Sequence, residues 1–187
     1  MLRMSVLPIV LPFVFGVCRR FWLMVVVLGG LIALTAGTGL AEDQSWPEVV
    51  TATAFRVVDG DTIHADGHKI RLLGIDAPEK RQLCQTEKGA DWPCGLIATD
   101  MVVGMLAASK ELWCRITGRD RYQRLLGQCF AGGDASGLDI QGALVRSGLA
   151  VAEYSPGYEA DEAAAKKAGA GMWRGSFLRP REWRRQQ

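Results

Sequence analysis

Three short segments carry side chains that could do chemistry together. The stretch VVDGDTIHADG, Val57 to Gly67, sets Asp59 and Asp61 on either side of Gly60 and follows them with Thr62. A hairpin turn needs one Asp-Gly pair, and Asp66-Gly67 already supplies the next turn, so Asp61 is surplus to turn-making. RLLGIDAPE adds Arg71, Asp76 and Glu79 among Leu72, Leu73, Ile75 and Pro78, and charges beside a buried strand cost free energy unless they are paired or bind metal. Arg71 and Asp76 would face opposite sides of a regular strand, but Gly74 permits a bulge that changes this. Asp61, Asp76 and Glu79 could then gather around one point, and three carboxylates suit a hard divalent cation, Ca²⁺ or Mg²⁺, rather than zinc. RDRYQRLLGQC places Arg121, Tyr122 and Arg124 in a tight connection between strands, where guanidinium forks can reach a phosphate. A cation site, phosphate-binding arginines and an acid able to activate water form a constellation for phosphodiester hydrolysis. Taken singly the segments have plainer readings: DGDT as a turn, Asp76 to Glu79 as a loop or helix start, Arg71 as a surface charge.

The elements that must position these groups are mostly strands. VVTATAFRVVDGDTI alternates and is rich in Val, Thr and Phe, and Lys69 to Ile75 returns after the Asp66-Gly67 turn, so the first third reads as a β-meander. Ala77-Pro78 ends that strand, because proline offers no N–H to a ladder. GLIATDMVVGMLAASK, Gly95 to Lys110, has apolar residues at Ile97, Met101, Val102, Met105 and Leu106, a helical spacing. ELWCRITG and LLGQCFAG are strands about the turn GRDRYQR, LDIQGALVRSGL is a second helix, and Glu159 to Met172 is a third. Trp113, Met101, Met105 and Trp173 fit core positions. WRGSFLRPREWRRQQ holds five arginines and one glutamate and reads as a basic end, of low order or packed as a cap. GxGxxG, GxxxxGK[ST] and GxSxG are all lacking, which excludes Rossmann and P-loop enzymes.

The first 41 residues read as targeting. Arg19 and Arg20 precede an uncharged apolar run from Phe21 to Ala41 with small residues at its end, the pattern of a signal peptide cleaved before Glu42; retained as an anchor, the run is long enough to span a bilayer. Either way the globular part is exported, periplasmic or secreted, and touches a membrane only if the segment is kept. The chain has 22 Lys+Arg and 20 Asp+Glu, but its first 41 residues hold three arginines and no acid, so the rest is close to neutral. A nucleic-acid role must therefore rest on local positive groups. Apart from Cys18, the cysteines are Cys84, Cys94, Cys114 and Cys129, an even set that in an exported domain points to two disulfides. Three pairings are open, and Cys84–Cys94 with Cys114–Cys129 is favoured because each joins nearby segments. No cysteine pair has CxxC spacing, and His64 and His68 lie in a hairpin away from them, which disfavours zinc. The expected organisation is a targeting segment over 1–41, a linker over 42–49, one domain over 50–175 and a basic tail over 176–187.

DGDTI, RLLGIDAPE and DRYQR, in that order and with a helix between the second and third, resemble the thermonuclease family, whose best-known member is staphylococcal nuclease; the resemblance runs from about Val50 to Trp173. It implies an α+β, mainly β domain: an OB-type five-stranded barrel with about three packed helices. It further implies a Ca²⁺-dependent nuclease acting on DNA and often RNA. No protein partner is implied, and a monomer is expected. Carried over by motif, Asp61 and Asp76 are carboxylate ligands and Ala77 offers its main-chain carbonyl. Glu79 orients or deprotonates the attacking water, and Arg71 and Arg124 hold the phosphate. Arg121, Tyr122 and Tyr154 match positions lining the nucleotide pocket. Gln123 stands where relatives commonly have glycine, the hairpin before Arg71 is short, and the best-known member lacks the cysteines. The rival reading is an OB-fold module that binds nucleic acid or protein without chemistry.

Overall fold

The computed structural model describes residues 47–187. The targeting segment expected at 1–41 and most of the linker expected at 42–49 lie outside the described residues.

Alternation of apolar and polar residues lays down the strands, and turn chemistry separates them. Strands β1 (Val49–Ala52), β2 (Phe55–Asp59), β3 (Thr62–Ala65) and β4 (His68–Leu72) come first, and β2, β3 and β4 form the expected antiparallel meander. Its second turn is Asp66-Gly67, both at positive φ (48° and 73°), which matches the right-handed twist of the flanking strands. After the short strands β5 (Ile75–Asp76), β6 (Cys84–Gln85) and β7 (Asp91–Trp92) come helix α1 (Cys94–Ser109) and the long strands β8 (Leu112–Arg119) and β9 (Leu125–Ala131). The principal sheet runs β1-β8-β9-β4-β3-β2, with β9 parallel to β4 and the other neighbours antiparallel. Strand β10 (Leu138–Asp139) adds to β9, and β5 pairs with β11 (Val151–Ala152) apart from this sheet. The long strands β2, β3, β4, β8 and β9 curl as the five-stranded, mainly-β OB-type barrel that the resemblance implied.

Helices close the barrel. Along α1 the buried apolar residues Ala98, Val102 and Leu106 recur every four residues and pack into the core made by Ile63, Ile70, Leu125 and their neighbours. Truncating the fully buried Leu106 to alanine removes about 2–5 kcal/mol. The apolar stripe is rotated from the one expected, since Met101 and Met105 only flank the core and Ile97 is exposed. Helical spacing alone leaves that choice open, because a stripe of alanine and valine can face inward as well as one of Ile and Met. Trp113 likewise faces away from the interior, half-buried against Phe130 and Arg115 on the outer side of β8. Helices α2 (Ile140–Arg146) and α3 (Glu159–Ala168) pack on each other, and Gln141 of α2 is buried with its side chain bonded to the main chain of Gly127 and Cys129 in β9.

Both favoured disulfides are present. Cys114 and Cys129 face each other across β8 and β9, and Cys84–Cys94 ties β6 to the first residue of α1. Beyond a 3₁₀ turn (Gly171–Arg174) the basic end packs as a cap: Ser176 pairs with Gln85, buried Gln82 donates from Nε2 to the Leu178 carbonyl at 2.7 Å, and Pro180 starts a short helix α4 (Pro180–Arg184). Among the described residues no helix is long and apolar enough to cross a membrane.

Candidate active site

The surplus aspartate of DGDT is the buried one. Asp59 accepts the Asp61 N–H at 3.1 Å and so forms the turn, while Asp61, only 2% exposed, points inward. A register shift between Val57 and Asp59 in the β2–β3 ladder re-aims the strand just ahead of it. The carbonyl of Asp61 accepts from the Leu72 N–H, and its Oδ2 accepts from the Ala77 N–H at 3.0 Å. Gly60 is small for a steric reason: a Cβ there would lie 2.7 Å from Ala77 Cβ and 3.0 Å from Ala98 Cβ. Glycine thus lets the DGD turn press against both Ala77 and helix α1.

Gly74 brings Arg71 and Asp76 together. Its φ of +84° breaks β4 from β5, and a side chain there would press on the Tyr158 ring. Asp76, fully buried, sits opposite Val151 in the β5–β11 pair. The Arg71 guanidinium bridges the two aspartates, donating from one terminal nitrogen to Asp61 Oδ1 and from the other to Asp76 Oδ1 at 2.7 Å. Burial pushes the Asp61 carboxyl up to about 7, while Arg71 pulls in the opposite direction and Asp59 and Asp76 add to the rise.

Glu79 is held by its loop. Its N–H donates to Gln82 Oε1 and its carbonyl accepts from the Gln82 N–H, and the close approach of Gly95 on α1 to the Glu79 carbonyl leaves no room for a Cβ. The Cys84–Cys94 disulfide joins the two ends of this arrangement. The Glu79 carboxylate does not stand free. Arg184, from α4, donates to Glu79 Oε1 at 3.0 Å and makes a two-pronged contact with Asp76 at 3.0 and 2.9 Å. The three carboxylates are thus linked through guanidinia, Asp61 to Asp76 by Arg71 and Asp76 to Glu79 by Arg184. With those cations between them, no three acidic, histidine or cysteine side chains among the described residues converge as a metal cluster, a difference from the expected gathering at one point.

Above this floor lies a cavity of about 780 Å³ whose lining includes Arg71, Glu79, Arg121, Tyr122, Arg124 and Tyr154, together with Lys69 and Arg184. All the residues expected to meet substrate therefore share one space, with Asp61, Asp76 and Ala77 beneath it. Tyr122 and Tyr154 stand at the rim, 64% and 59% exposed. Arg121 and Arg124 both lie over the Tyr122 ring. Arg124 is aimed by Asp120, which accepts from its Nε at 2.7 Å and takes the main-chain N–H groups of Tyr122 and Arg124 on its other oxygen. Burial alone would raise Asp120, but these donors hold its carboxyl below the usual range. Gln123 occupies the left-handed region at φ 63°, the conformation that favours glycine there, and the turn keeps its shape with glutamine in place.

Sequence reasoning missed two participants, one of them inside the DRYQR motif. Asp120 could have been picked out from the Asx-turn pattern of Asp120 to Tyr122. For Arg184 the signal is weaker: Pro180 at the first helical position and Glu182 two residues on predict α4, but nothing local says which arginine turns inward.

Comparison with known proteins agrees with the geometry. The chain is 37% identical over 145 residues to the succinoglycan biosynthesis protein ExoI of Rhizobium meliloti (strain 1021), covering 76% of this chain and 74% of that protein. It is 39% identical over 113 residues to an uncharacterized endonuclease of Escherichia coli O157:H7, covering 57% of this chain and 65% of the relative. It is 31% identical over 135 residues to endonuclease YhcR of Bacillus subtilis (strain 168), of which it spans only 11%. The family model described as staphylococcal nuclease homologue matches residues 69–175, taking in the strand of Arg71, the carboxylate loop and the Asp120–Arg124 turn. With that match and these relatives, the chain belongs to the staphylococcal nuclease homologue family.

Proposed function

We propose that the chain is an exported, Ca²⁺-dependent nuclease that hydrolyses phosphodiester bonds of DNA and of RNA. The observation that carries this reading is the pair of buried carboxylates, Asp61 and Asp76, lying under a cavity lined by guanidinia and exposed tyrosines. Family membership and two relatives named endonucleases support it. The two disulfides are in keeping with export.

The donor set fits a hard divalent cation. Asp61 and Asp76 bring acceptor-only oxygens and no sulfur or imidazole, and their charge is answered in this structure only by arginine. Asp61, Asp76 and the carbonyl of Ala77 are the residues that would hold it. When bound, the ion would act as a Lewis acid on a phosphoryl oxygen and steady the nucleophile. Glu79 accepts a proton from water as the water oxygen attacks phosphorus, the P–O bond to the leaving oxygen breaks, and that oxygen is protonated from solvent. Arg71 and Arg124 face the same cavity and offset the charge that grows on the phosphoryl oxygens. The exposed ring of Tyr154 is placed to stack on a base, a contact that is tolerant of sequence.

Digestion of heat-denatured DNA and of RNA by the full-length protein, with millimolar Ca²⁺ and with chelator in parallel, tests this. Degradation that depends on Ca²⁺ is the expected result. Intact polymer under both conditions, with nucleic acid still retained, would favour the binding module.

A further inference from the structure

Resting on the cation site just proposed, we infer that Arg184 is a tethered competitor for that site: an intramolecular cation that occupies Asp76 and Glu79 and must be displaced before a divalent ion can bind. The tail is docked by contacts that owe nothing to Arg184. Gln82 holds the Leu178 carbonyl, Ser176 and Gln85 exchange main-chain hydrogen bonds, and Gly175 passes so close to the Gln85 carbonyl that a Cβ would meet it at 2.0 Å. Arg179 and Arg181 stay outside, beside Glu153. From that fixed base only Arg184 of the tail reaches the site among the described residues. Its guanidinium takes both oxygens of Asp76 and one of Glu79.

Charge decides what happens next. When all are ionised, Asp61, Asp76 and Glu79 carry three negative charges, and Arg71 and Arg184 together answer two of them. A divalent ion with Arg71 would answer all three, leaving Arg184 as surplus positive charge beside a new cation on a shared ligand. Coulomb repulsion at that range, under a largely buried carboxylate, favours release of the arginine. The Arg184 side chain is about one-third exposed and its guanidinium adjoins the Tyr154 hydroxyl, so it can move out into the cavity without unpacking the tail. Held in place, Arg184 also occupies one of the two carboxylate oxygens of Glu79. Arg184 therefore competes with a divalent ion for Asp76 and weakens the apparent cation affinity.

Calorimetric titration of Ca²⁺ into the full-length protein reads this directly, without turnover. Arg184→Gln is expected to bind Ca²⁺ about tenfold more tightly than wild type, the loss of a competing ion pair being a change of this order. Arg184→Lys, which keeps the charge without the two-pronged grip, is expected between the two. A chain ending at Trp183, which retains the docking contacts of the tail, should repeat the Arg184→Gln result. Equal or weaker affinity in Arg184→Gln and in the shortened chain, with binding still abolished by Asp61→Asn, overturns the competitor and leaves the cation site standing. No Ca²⁺ binding by any of these proteins overturns the cation site itself.

Discussion

Replacing Arg71 with methionine tests what the bridging guanidinium does in the metal-free protein. Methionine fills much of the side-chain volume, so the change removes charge more than packing. Asp76 keeps its contact with Arg184. Asp61 retains only Thr62 Oγ1, the Ala77 N–H and the turn around it. Stripping one partner from a buried ion pair costs about 3–5 kcal/mol when the remaining charge cannot be neutralised. Here it can be, by a proton. Asp61 already sits at about 7 in the folded protein against a usual 3.8, so its contribution to stability is fully present below about pH 4 and is lost as pH rises through about 7. Without Arg71 the folded value moves higher and the loss extends further into alkali. The cost of Arg71→Met is therefore about 1 kcal/mol at pH 5.5, where a proton stands in for the guanidinium, and about 3 kcal/mol or more at pH 8.5. For a domain of this size that larger figure is a fall in Tm of roughly 10 °C. Urea unfolding of wild type and variant in chelator at the two pH values gives both numbers. A gap that is the same at both pH values, or below about 1 kcal/mol at pH 8.5, would refute the idea that Arg71 is what keeps Asp61 ionised.

Glu79→Gln keeps the loop's main-chain bonds to Gln82 but loses the proton acceptor; cleavage of denatured DNA should fall about 10²–10⁴-fold with an unchanged melting curve, and a wild-type rate would remove Glu79 from the mechanism. Gly60→Ala drives a methyl group into Ala77 and Ala98, so stability should drop by about 1–3 kcal/mol and Ca²⁺ affinity should fall with it; unchanged affinity in a destabilised protein would separate the turn from the cation site. The two disulfides should part company: the Cys114→Ala, Cys129→Ala double variant loses about 3 kcal/mol of stability in denaturant titration but keeps its activity when folded. The corresponding Cys84, Cys94 variant should lose activity below its unfolding transition, because that bridge fixes the Glu79 loop against α1.

Much of this was legible along the chain because the signals are local. Alternation marked the strands, Asp66-Gly67 the hairpin, and the doubled aspartate of DGDT the odd feature of the first turn. The sharp break at Gly74 was readable as a permission, since glycine adopts a φ of +84° at little cost, although only the folded chain makes use of it. The inward stripe of α1 was not readable, because Ala98 and Ile97 differ by 100° around the helix and the core, not the helix, selects between them.

By itself the sequence determined the succession of the main strands and helices along the chain, the cysteines available for pairing and the residue types of the site, since each is read from the residues themselves and their near neighbours. Tertiary structure alone decided how the charges are answered. Arg71 links Asp61 of the β2–β3 turn to Asp76 of β5, Asp120 turns Arg124 into the cavity, and Arg184 arrives at Asp76 across 108 residues of chain. A guanidinium side chain is long and flexible, and its partner is set by where the backbone returns in space, a quantity that no local pattern carries.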